Sequence, residues 1–261
     1  MYREFAATAI VTTSWDDGAR TDLRVAELLL SRRLCGTFYV PIMPFRRCTA
    51  LSHEDLKGLA SQGFEIGAHG VEHENLTRLS NRELARVASL CKQTLGDITG
   101  SKVSMFCYPR GRYNGRVVEG LKQAGYQGAR TTSMLAIRLD FEPFEMPTSL
   151  QAYPHSRMSY FKNVARARSI VRFCEYARHL GHAGGWVELG KRLFDRVSQA
   201  GGLWHLCGHS SRIEQLGLWR DLGELLDYVS GRKGVVYIPN GRVLEYLRAP
   251  APALQQIGRA P

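Results

Sequence analysis

The sequence predicts an α/β barrel of about seven parallel strands. Short β-like runs alternate with amphipathic helical stretches along the chain, which is the pattern of strands joined by crossover helices. The chain has 261 residues, of which 44% are hydrophobic, and this is enough to bury one substantial core. We therefore expect a single domain over residues 1–248. A disordered tail is predicted over residues 249–261, where Pro250, Pro252 and Pro261 lie.

The elements of the first half follow in order. The strand predicted at residues 9–13 is apolar and leads into a helix near residues 22–33, after which residues 36–41 form the second strand. The next helix begins at Ser52, where Asp55 completes a capping box, and it precedes a short strand at residues 65–68. A second capping box, Ser80 with Glu83, opens a longer helix that reaches about Leu95.

The elements of the second half complete the count of seven strands. The remaining strands are predicted at residues 103–108, 127–132, 203–207 and 235–239. Helices are predicted near residues 114–124, 186–200, 219–229 and 240–247. This count of seven strands favours a barrel.

The charge of the chain is positive and uneven. The formal net charge is +11, and residues 155–200 hold nine basic against three acidic residues. Apolar positions at helical spacing run through this stretch (Val164, Ala167, Val171, Cys174 and Ala177). The stretch is either a solvated basic helix that faces the core with its apolar side, which we favour, or a surface that contacts anionic membrane lipid. No recognition motif accompanies the charge, so nucleic-acid binding is not expected.

The sequence also bears on the compartment. No run approaches the roughly twenty apolar residues of a membrane span, and the first residues lack the apolar region of a signal peptide. We expect a cytoplasmic protein. The basic stretch raises a second possibility, peripheral contact with the inner face of the membrane. The six cysteines are scattered without paired spacing, which predicts neither a disulfide framework nor a cysteine zinc site.

Polar residues gather directly after several predicted strands, where barrels carry their chemistry. Asp16 and Asp17 follow the first strand, His69 and His73 follow the third, and His209 follows a later one. Two imidazoles four residues apart can face one metal ion from a single helical turn. An adjacent acidic pair alone is weak evidence, because acidic residues also end strands and cap helices. In combination these residues indicate a metal-dependent hydrolase.

These motifs resemble those of the polysaccharide deacetylases of the NodB-homology type, carbohydrate esterase family four. Ser14-Trp15-Asp16-Asp17-Gly18 resembles the first motif of that family, and His69-Gly70-Val71-Glu72-His73 resembles the second. Looser likenesses are Phe106 to Asn114 for the third motif and Gly201 to Ser210 for the last, histidine-bearing one. The resemblance covers most of the chain, from about Thr8 to Ser210.

The resemblance implies a distorted (β/α) barrel that binds one divalent metal ion through an aspartate and two histidines. Carried over position by position, the ligands would be Asp17, His69 and His73. A ligand set of two imidazoles and one carboxylate suits Zn²⁺, with Co²⁺, Ni²⁺ and Mn²⁺ as alternatives.

The resemblance also assigns roles in catalysis. Asp16 would accept the proton of the attacking water, and the backbone N–H of Arg110 would stabilise the oxyanion. His209 would protonate the departing amine, with His205 as the second choice. The arginine that steadies the base in many family members is absent from its position in the third motif, and we expect Arg130 to reach Asp16 from the next strand. The family's fourth motif, Asp-x-Trp, is not visible.

The expected reaction is removal of an N-acyl group, N-acetyl in the first instance, from an amino sugar in a glycan precursor, glycolipid or secondary metabolite. The alternatives are deformylation of a lipid-linked formamido sugar and a non-catalytic carbohydrate-binding or membrane-associated scaffold. The four polar residues of the first two motifs argue against a scaffold, because burying such a cluster is costly.

Overall fold

The computed structural model describes residues 8–44, 49–167 and 184–248. Its strands are β1 (Ala9–Asp16), β2 (Thr37–Val40), β3 (Glu65–Ala68), β4 (Met105–Cys107), β5 (Gly128–Arg130), β6 (Leu150–Gln151), β7 (Gly202–Gly208) and β8 (Val235–Tyr237). Its helices are α1 (Asp22–Leu30), α2 (His53–Ser61), α3 (Asn81–Thr99), α4 (Gly115–Gln123), α5 (Arg157–Ala167), α6 (Trp186–Ala200), α7 (Ser210–Leu216), α8 (Trp219–Val229) and α9 (Asn240–Arg248).

The strands form one parallel sheet that curls into a distorted barrel. Seven strands lie in the order β5-β4-β3-β2-β1-β7-β6, and β8 pairs with the first residues of β1. Between β5 and β6, residues 146–149 cross the gap: Thr131 donates to the Met146 carbonyl at 2.9 Å, and Ser149 donates to the His205 carbonyl at 2.8 Å. The predicted fold class is thereby confirmed, and all seven predicted strands are found. The strand β6 was not predicted.

The predicted helix boundaries are close to the observed ones. Both capping boxes are present, with Ser52 and Asp55 at α2 and Ser80 and Glu83 at α3. The helix α3 runs past Leu95 to Thr99 and ends at Gly100, whose φ of 66° is the left-handed conformation common after helices. The apolar stripe predicted from Val164 is described only as far as Ala167: Val164 is buried, and the later positions lie outside the described residues, as does the predicted tail.

Two apolar clusters hold the barrel together. The inner cluster contains Ile10 of β1, Tyr39 of β2, Met105 of β4 and Leu203 of β7. Side chains of α9 pack against these residues and complete the cluster. The outer cluster lies between the sheet and the surrounding helices and includes Val25, Leu59, Leu95, Leu121, Leu193 and Leu225. None of the helices in the described part of the chain combines the length and hydropathy that a membrane span requires.

The inward row of β1 leads from the core to the polar end of the barrel. Ile10, Thr12, Ser14 and Asp16 share one face because successive side chains alternate across a strand. Thr12 donates to Asn240 Oδ1 at 2.8 Å, and Ser14 Oγ lies 2.9 Å from His205 Nε2. Asp16 therefore stands at the carboxyl end of the row, above a layer of satisfied polar groups.

Candidate metal centre

The two carboxylates lie where β1 turns away from the barrel. Asp16 is the last residue of the strand, and the chain bends at Asp17 and Gly18, which have φ values of 78° and 62°. A non-glycine residue in this left-handed region is strained, and such strain is concentrated at functional sites. Both carboxylates are buried, with 5% and 3% of the residue surface exposed. The bend points the two adjacent side chains toward the same polar end of the barrel.

The two imidazoles come from the loop that follows β3. This loop is not a helical turn, so the two imidazoles approach each other through the bend of the loop and not through helical spacing. Gly70 has a φ of 85° and His73 a φ of 57°. The Glu74 carboxylate organises the loop by accepting from the backbone N–H groups of Val71 and Glu72, at 3.0 Å and 2.9 Å from Oε2. The positive φ of Gly70 favours glycine, and a Cβ atom there would also lie 2.6 Å from Oε2 of that carboxylate, which would have to shift.

These two loops bring three predicted ligands together. Asp17 Oδ1 lies 3.6 Å from His69 Nε2 and 3.6 Å from His73 Nε2. The imidazole centroids are 4.8 Å apart with an angle of 77° between the rings, so both rings present an edge to one point. The ligand atoms of the three residues all lie within 4.8 Å of one another, a spacing at which they could hold a metal ion.

The protonation states suit a divalent ion. His69 Nδ1 lies 2.8 Å from the Cys107 carbonyl and donates to it, which leaves the lone pair of Nε2 directed at the cluster. Burial lowers the pKa of His69 to about 4. Burial, followed by the neighbouring His69, also lowers the pKa of His73. Both rings are therefore neutral at neutral pH, which is the form that binds metal.

A second group of possible ligands overlaps the first and fits less well. It consists of Asp16, His69 and Cys107, whose Sγ is 3.8 Å from Asp16 Oδ2. Burial raises the pKa of the Cys107 thiol far above its usual range, so the sulfur stays protonated. Asp16 is already engaged in an ion pair. The group of Asp17, His69 and His73 therefore fits a divalent ion better than this second group does.

Asp16 is paired with the buried Arg130 guanidinium. Arg130 Nη2 donates to Asp16 Oδ1, and only 1% of the arginine surface is exposed. Burial is the largest single influence and raises the pKa of Asp16, but the charge and hydrogen bond of Arg130, together with His69 and His209, outweigh it and the pKa falls to about 2. The contact between Arg130 and Asp16 that was expected from the strand-end position of Arg130 is therefore present. Asp16 is fully ionised at neutral pH.

The structure separates His205, which lies in β7, from His209, which follows it. His205 is wholly buried inside the barrel, where Nδ1 lies 2.8 Å from the Pro147 carbonyl and Nε2 contacts Ser14. His209 stands past the strand end, with Nε2 3.9 Å from Asp16 Oδ2 and 3.8 Å from Asp17 Oδ2. Both ring nitrogens of His205 are thus used by the core, whereas His209 faces the carboxylates.

Arg110 lies in the tight turn that follows β4. Its φ is 58°, and the turn is closed by Gly111 N–H donating to the Tyr108 carbonyl at 2.8 Å. The guanidinium is exposed and does not join the Asp16 ion pair, so any role at the centre falls to the backbone amide. The positive charge of Arg110 is among the influences that lower the pKa of His73, and Pro109 lies against Gly70, so this turn is next to the histidine loop.

Two residues that sequence reasoning passed over also belong to the site. Glu74 shapes the histidine loop, and its position one residue after His73 was the signal available in the sequence. The Tyr153 hydroxyl lies 3.1 Å from His209 Nδ1. Tyr153 follows a two-residue strand that has no alternating pattern, so nothing in the sequence marked it as a strand-end residue.

The fold and the site together define a class: distorted (β/α) barrels with an Asp/His cluster at the carboxyl ends of the strands. Residues 6–129 match the family model of polysaccharide deacetylases, which confirms the resemblance that the motifs predicted. A protein of Bacillus subtilis (strain 168), provisionally named a polysaccharide deacetylase, is 27% identical over 82 residues, or 31% of this chain. The matched segment spans 29% of that relative.

Solved structures are similar over nearly the whole chain. A crystal structure from Mycobacterium smegmatis, provisionally named a polysaccharide deacetylase, has a TM-score of 0.63 at 16% identity and covers 95% of this chain and 93% of its own. A carbohydrate esterase family 4 pseudoenzyme from Bacillus anthracis has a TM-score of 0.54 at 16% identity, covering 91% of this chain and 66% of its own. At these identities the likeness extends to the fold alone.

Proposed function

We propose that this protein is a metal-dependent hydrolase that removes an N-acetyl group from an amino sugar. The observation that carries the proposal is the convergence of Asp17, His69 and His73 beside an ionised Asp16. The family match over residues 6–129 supports the same reaction class. Substrates of this class are glycan precursors, glycolipids or the sugars of secondary metabolites.

The proposed ligands are Asp17, His69 and His73, and the proposed ion is zinc, with cobalt, nickel or manganese as substitutes. Such an ion, when bound, polarises the scissile carbonyl and makes an attacking water more acidic. Asp16 accepts the water's proton, since the adjacent Arg130 keeps it ionised. The low pKa of Asp16 makes it a weak base, so this transfer depends on the increased acidity of the water.

Two further groups complete the reaction. The backbone N–H of Arg110, at the turn beside the histidine loop, donates to the developing oxyanion. The departing amine is a poor leaving group until it is protonated, and His209 supplies that proton. Its Nε2 lies within 4 Å of both carboxylates, so a reacting group between them is within its reach.

Acetate release from a panel of acetamido sugars tests the proposal. N-acetylglucosamine, N,N′-diacetylchitobiose and UDP-N-acetylglucosamine represent free, oligomeric and nucleotide-linked substrates. We expect the zinc-loaded protein to release acetate from at least one of them, a chelator to abolish the release, and added ion to restore it. Faster formate release from a formamido sugar would identify a deformylase instead. Glycan binding that is indifferent to the chelator, with no hydrolysis of either kind, would replace the proposal by the scaffold.

We also propose that helix α5 contacts anionic lipid, which would bring a lipid-linked sugar to the site. Met158 and Phe161 expose 58% and 43% of their surface on this helix, which follows β6 at the same edge of the barrel as the site. Between His155 and Cys174 the sequence has five basic residues and no acidic one. An exposed apolar pair in a basic stretch of sequence is the composition that suits an anionic membrane surface.

Vesicle co-sedimentation measures this contact independently of catalysis. We expect binding to phosphatidylcholine vesicles that contain phosphatidylglycerol, little binding to pure phosphatidylcholine, and release by high salt. The double variant Met158→Ser/Phe161→Ser should lower the bound fraction about five-fold, because it removes the inserted apolar surface. Leu216→Ser changes an equally exposed leucine on α7 and serves as the control. Equal binding to both vesicle types would contradict the proposal.

A further inference from the structure

His209 has a partner that neither the sequence motifs nor the family match assigns. The Tyr153 hydroxyl lies 3.1 Å from His209 Nδ1, and the two rings are 6.2 Å apart. It is the one partner that the described residues give to this nitrogen. The opposite nitrogen, Nε2, faces Asp16 and Asp17. A single imidazole therefore joins a phenol on one side to the two carboxylates on the other.

We propose that Tyr153 is a positioning residue that fixes the orientation and the tautomer of His209 for proton donation to the leaving amine. The inference rests on the proposed deacetylation, in which His209 is the acid. Tyr153 does not itself touch the reacting atoms in this scheme. It acts through the hydrogen bond to Nδ1.

The register of the sheet explains why these two residues meet. Gln151 of β6 is paired with Cys207 of β7, and the next hydrogen bond runs from Ala152 N–H to the Cys207 carbonyl at 2.8 Å. Tyr153 and His209 each lie two residues beyond this pair and so leave neighbouring strand ends at the same level. The contact is therefore a consequence of strand pairing and not of a chance side-chain rotamer.

The phenol is suited to both protonation states of the imidazole. Burial raises the pKa of Tyr153 well above its usual range, so the hydroxyl keeps its proton. It can donate to a bare Nδ1, which puts the ring proton on Nε2 toward the carboxylates, and after rotation it can accept from Nδ1–H. A carboxylate in this place could only accept. The imidazolium that gives its Nε2 proton to the amine keeps the hydrogen on Nδ1, so Tyr153 accepts from Nδ1–H both before and after the transfer.

The packing of Tyr153 is separable from its hydrogen bond. Its ring also contacts the His155 ring at 5.2 Å, and the phenylalanine variant preserves that contact. Tyr160 provides a matched control, because it contacts His155 as Tyr153 does, is 3% exposed, and has a hydroxyl with no hydrogen-bond partner among the described residues. Tyr160→Phe therefore removes an equivalent oxygen that the proposal does not use.

The kinetic test compares Tyr153→Phe with Tyr160→Phe in the zinc-loaded protein. For acetate release from N,N′-diacetylchitobiose we expect Tyr153→Phe to lower kcat about ten-fold and to leave KM within two-fold, while Tyr160→Phe changes neither. Hydrolysis of 4-nitrophenyl acetate should be unchanged in both variants, because 4-nitrophenolate leaves without a proton. An equal loss on both probes, or an unchanged kcat on the amide, would overturn the proposal.

A spectroscopic test needs no turnover and separates this proposal from the proposed function. In protein labelled with ¹⁵N-histidine, the Nδ1 resonance of His209, assigned by its absence in His209→Gln, reports the tautomer and its hydrogen bond. We expect Tyr153→Phe to shift that resonance and Tyr160→Phe to leave it in place. If the wild type cleaves no acetamido sugar, the proposed reaction is wrong. The positioning role of Tyr153 is overturned by a different result, an Nδ1 resonance that Tyr153→Phe leaves unaltered.

Discussion

Replacing His69 with glutamine is expected to abolish stable binding of the divalent ion and to lower acetate release by about a thousand-fold or more. In the proposed centre this imidazole is one of three protein ligands, and its Nδ1–H bond to the Cys107 carbonyl aims the other nitrogen at the cluster. A glutamine side chain has no ring nitrogen to replace it. Asp17→Asn should give the same result by removing the negative ligand, and it provides a second variant if the first folds poorly.

Metal content after gel filtration measures the outcome directly. We expect about one ion per wild-type chain and less than a tenth of that in either variant. Added ion should also raise the unfolding free energy of the wild type, by about 2.7 kcal/mol at a hundred times the dissociation constant, and should have no such effect on the variants.

The control for this experiment is the same substitution at the other buried histidine. His205→Gln disturbs two hydrogen bonds inside the barrel, to Ser14 and Pro147, and should lower stability while the bound metal remains at one ion per chain. Retention of the ion by His69→Gln, or its loss from His205→Gln in a folded protein, would show that the ligand set is wrong.

Strand-end placement predicted the residues of the centre but not the shape of its loops. The positions of Asp17, His69 and His73 follow from three facts: strands of a parallel barrel end at one edge, each motif follows a strand, and the family motifs coincide with both. The conformation of residues 69–73 does not follow, because a four-residue spacing suits a helical turn equally well. It was decided by Gly70 and by the Glu74 carboxylate, which caps two backbone amides of the loop.

The sequence also could not predict how deep in the barrel each histidine of this segment lies. His205 and His209 are four residues apart, so alternation places both on the same face of the strand and its extension, and period-two patterning cannot choose between them. About 13 Å of strand separates them, which puts one histidine in the closed core and the other at the open end. The short β6 was missed for a related reason: two residues, Leu150 and Gln151, are too few to show any pattern.

Removal of the Arg130 charge is expected to give the largest loss of stability of any single change considered. Arg130→Met should lower the free energy of unfolding by about 3–5 kcal/mol, because it leaves the buried Asp16 carboxylate without its counter-ion. Methionine fills much of the same volume, so the loss reports the uncompensated charge more than a cavity. Acetate release should fall as well, since the freed carboxylate loses its fixed orientation.

A double-mutant cycle isolates the pair. Asp16→Asn/Arg130→Met removes both charges and should recover part of the stability that Arg130→Met loses, so the coupling between the two sites is favourable. The exposed pair Arg138–Asp140 has the same chemistry, with both side chains more than 60% exposed. Arg138→Met should therefore change stability by no more than about 1 kcal/mol. If Arg130→Met and Arg138→Met lowered the free energy of unfolding equally, burial would not be the reason that the Arg130–Asp16 pair matters.

The pH dependence of stability in the metal-free protein gives the sign of this interaction. The folded pKa of Asp16, about 2, lies below its value in the unfolded chain, so the pair contributes stability above the unfolded pKa of 3.8 and loses it as the pH falls toward 2. In Arg130→Met burial remains the largest influence on Asp16 and raises its pKa, so the variant loses most stability at neutral pH and less once Asp16 is protonated. Urea unfolding in the presence of a chelator should therefore show the wild type and the variant converging as the solution is acidified, whereas a gap that stays constant with pH would mean that Arg130 stabilises the barrel by packing and not through Asp16.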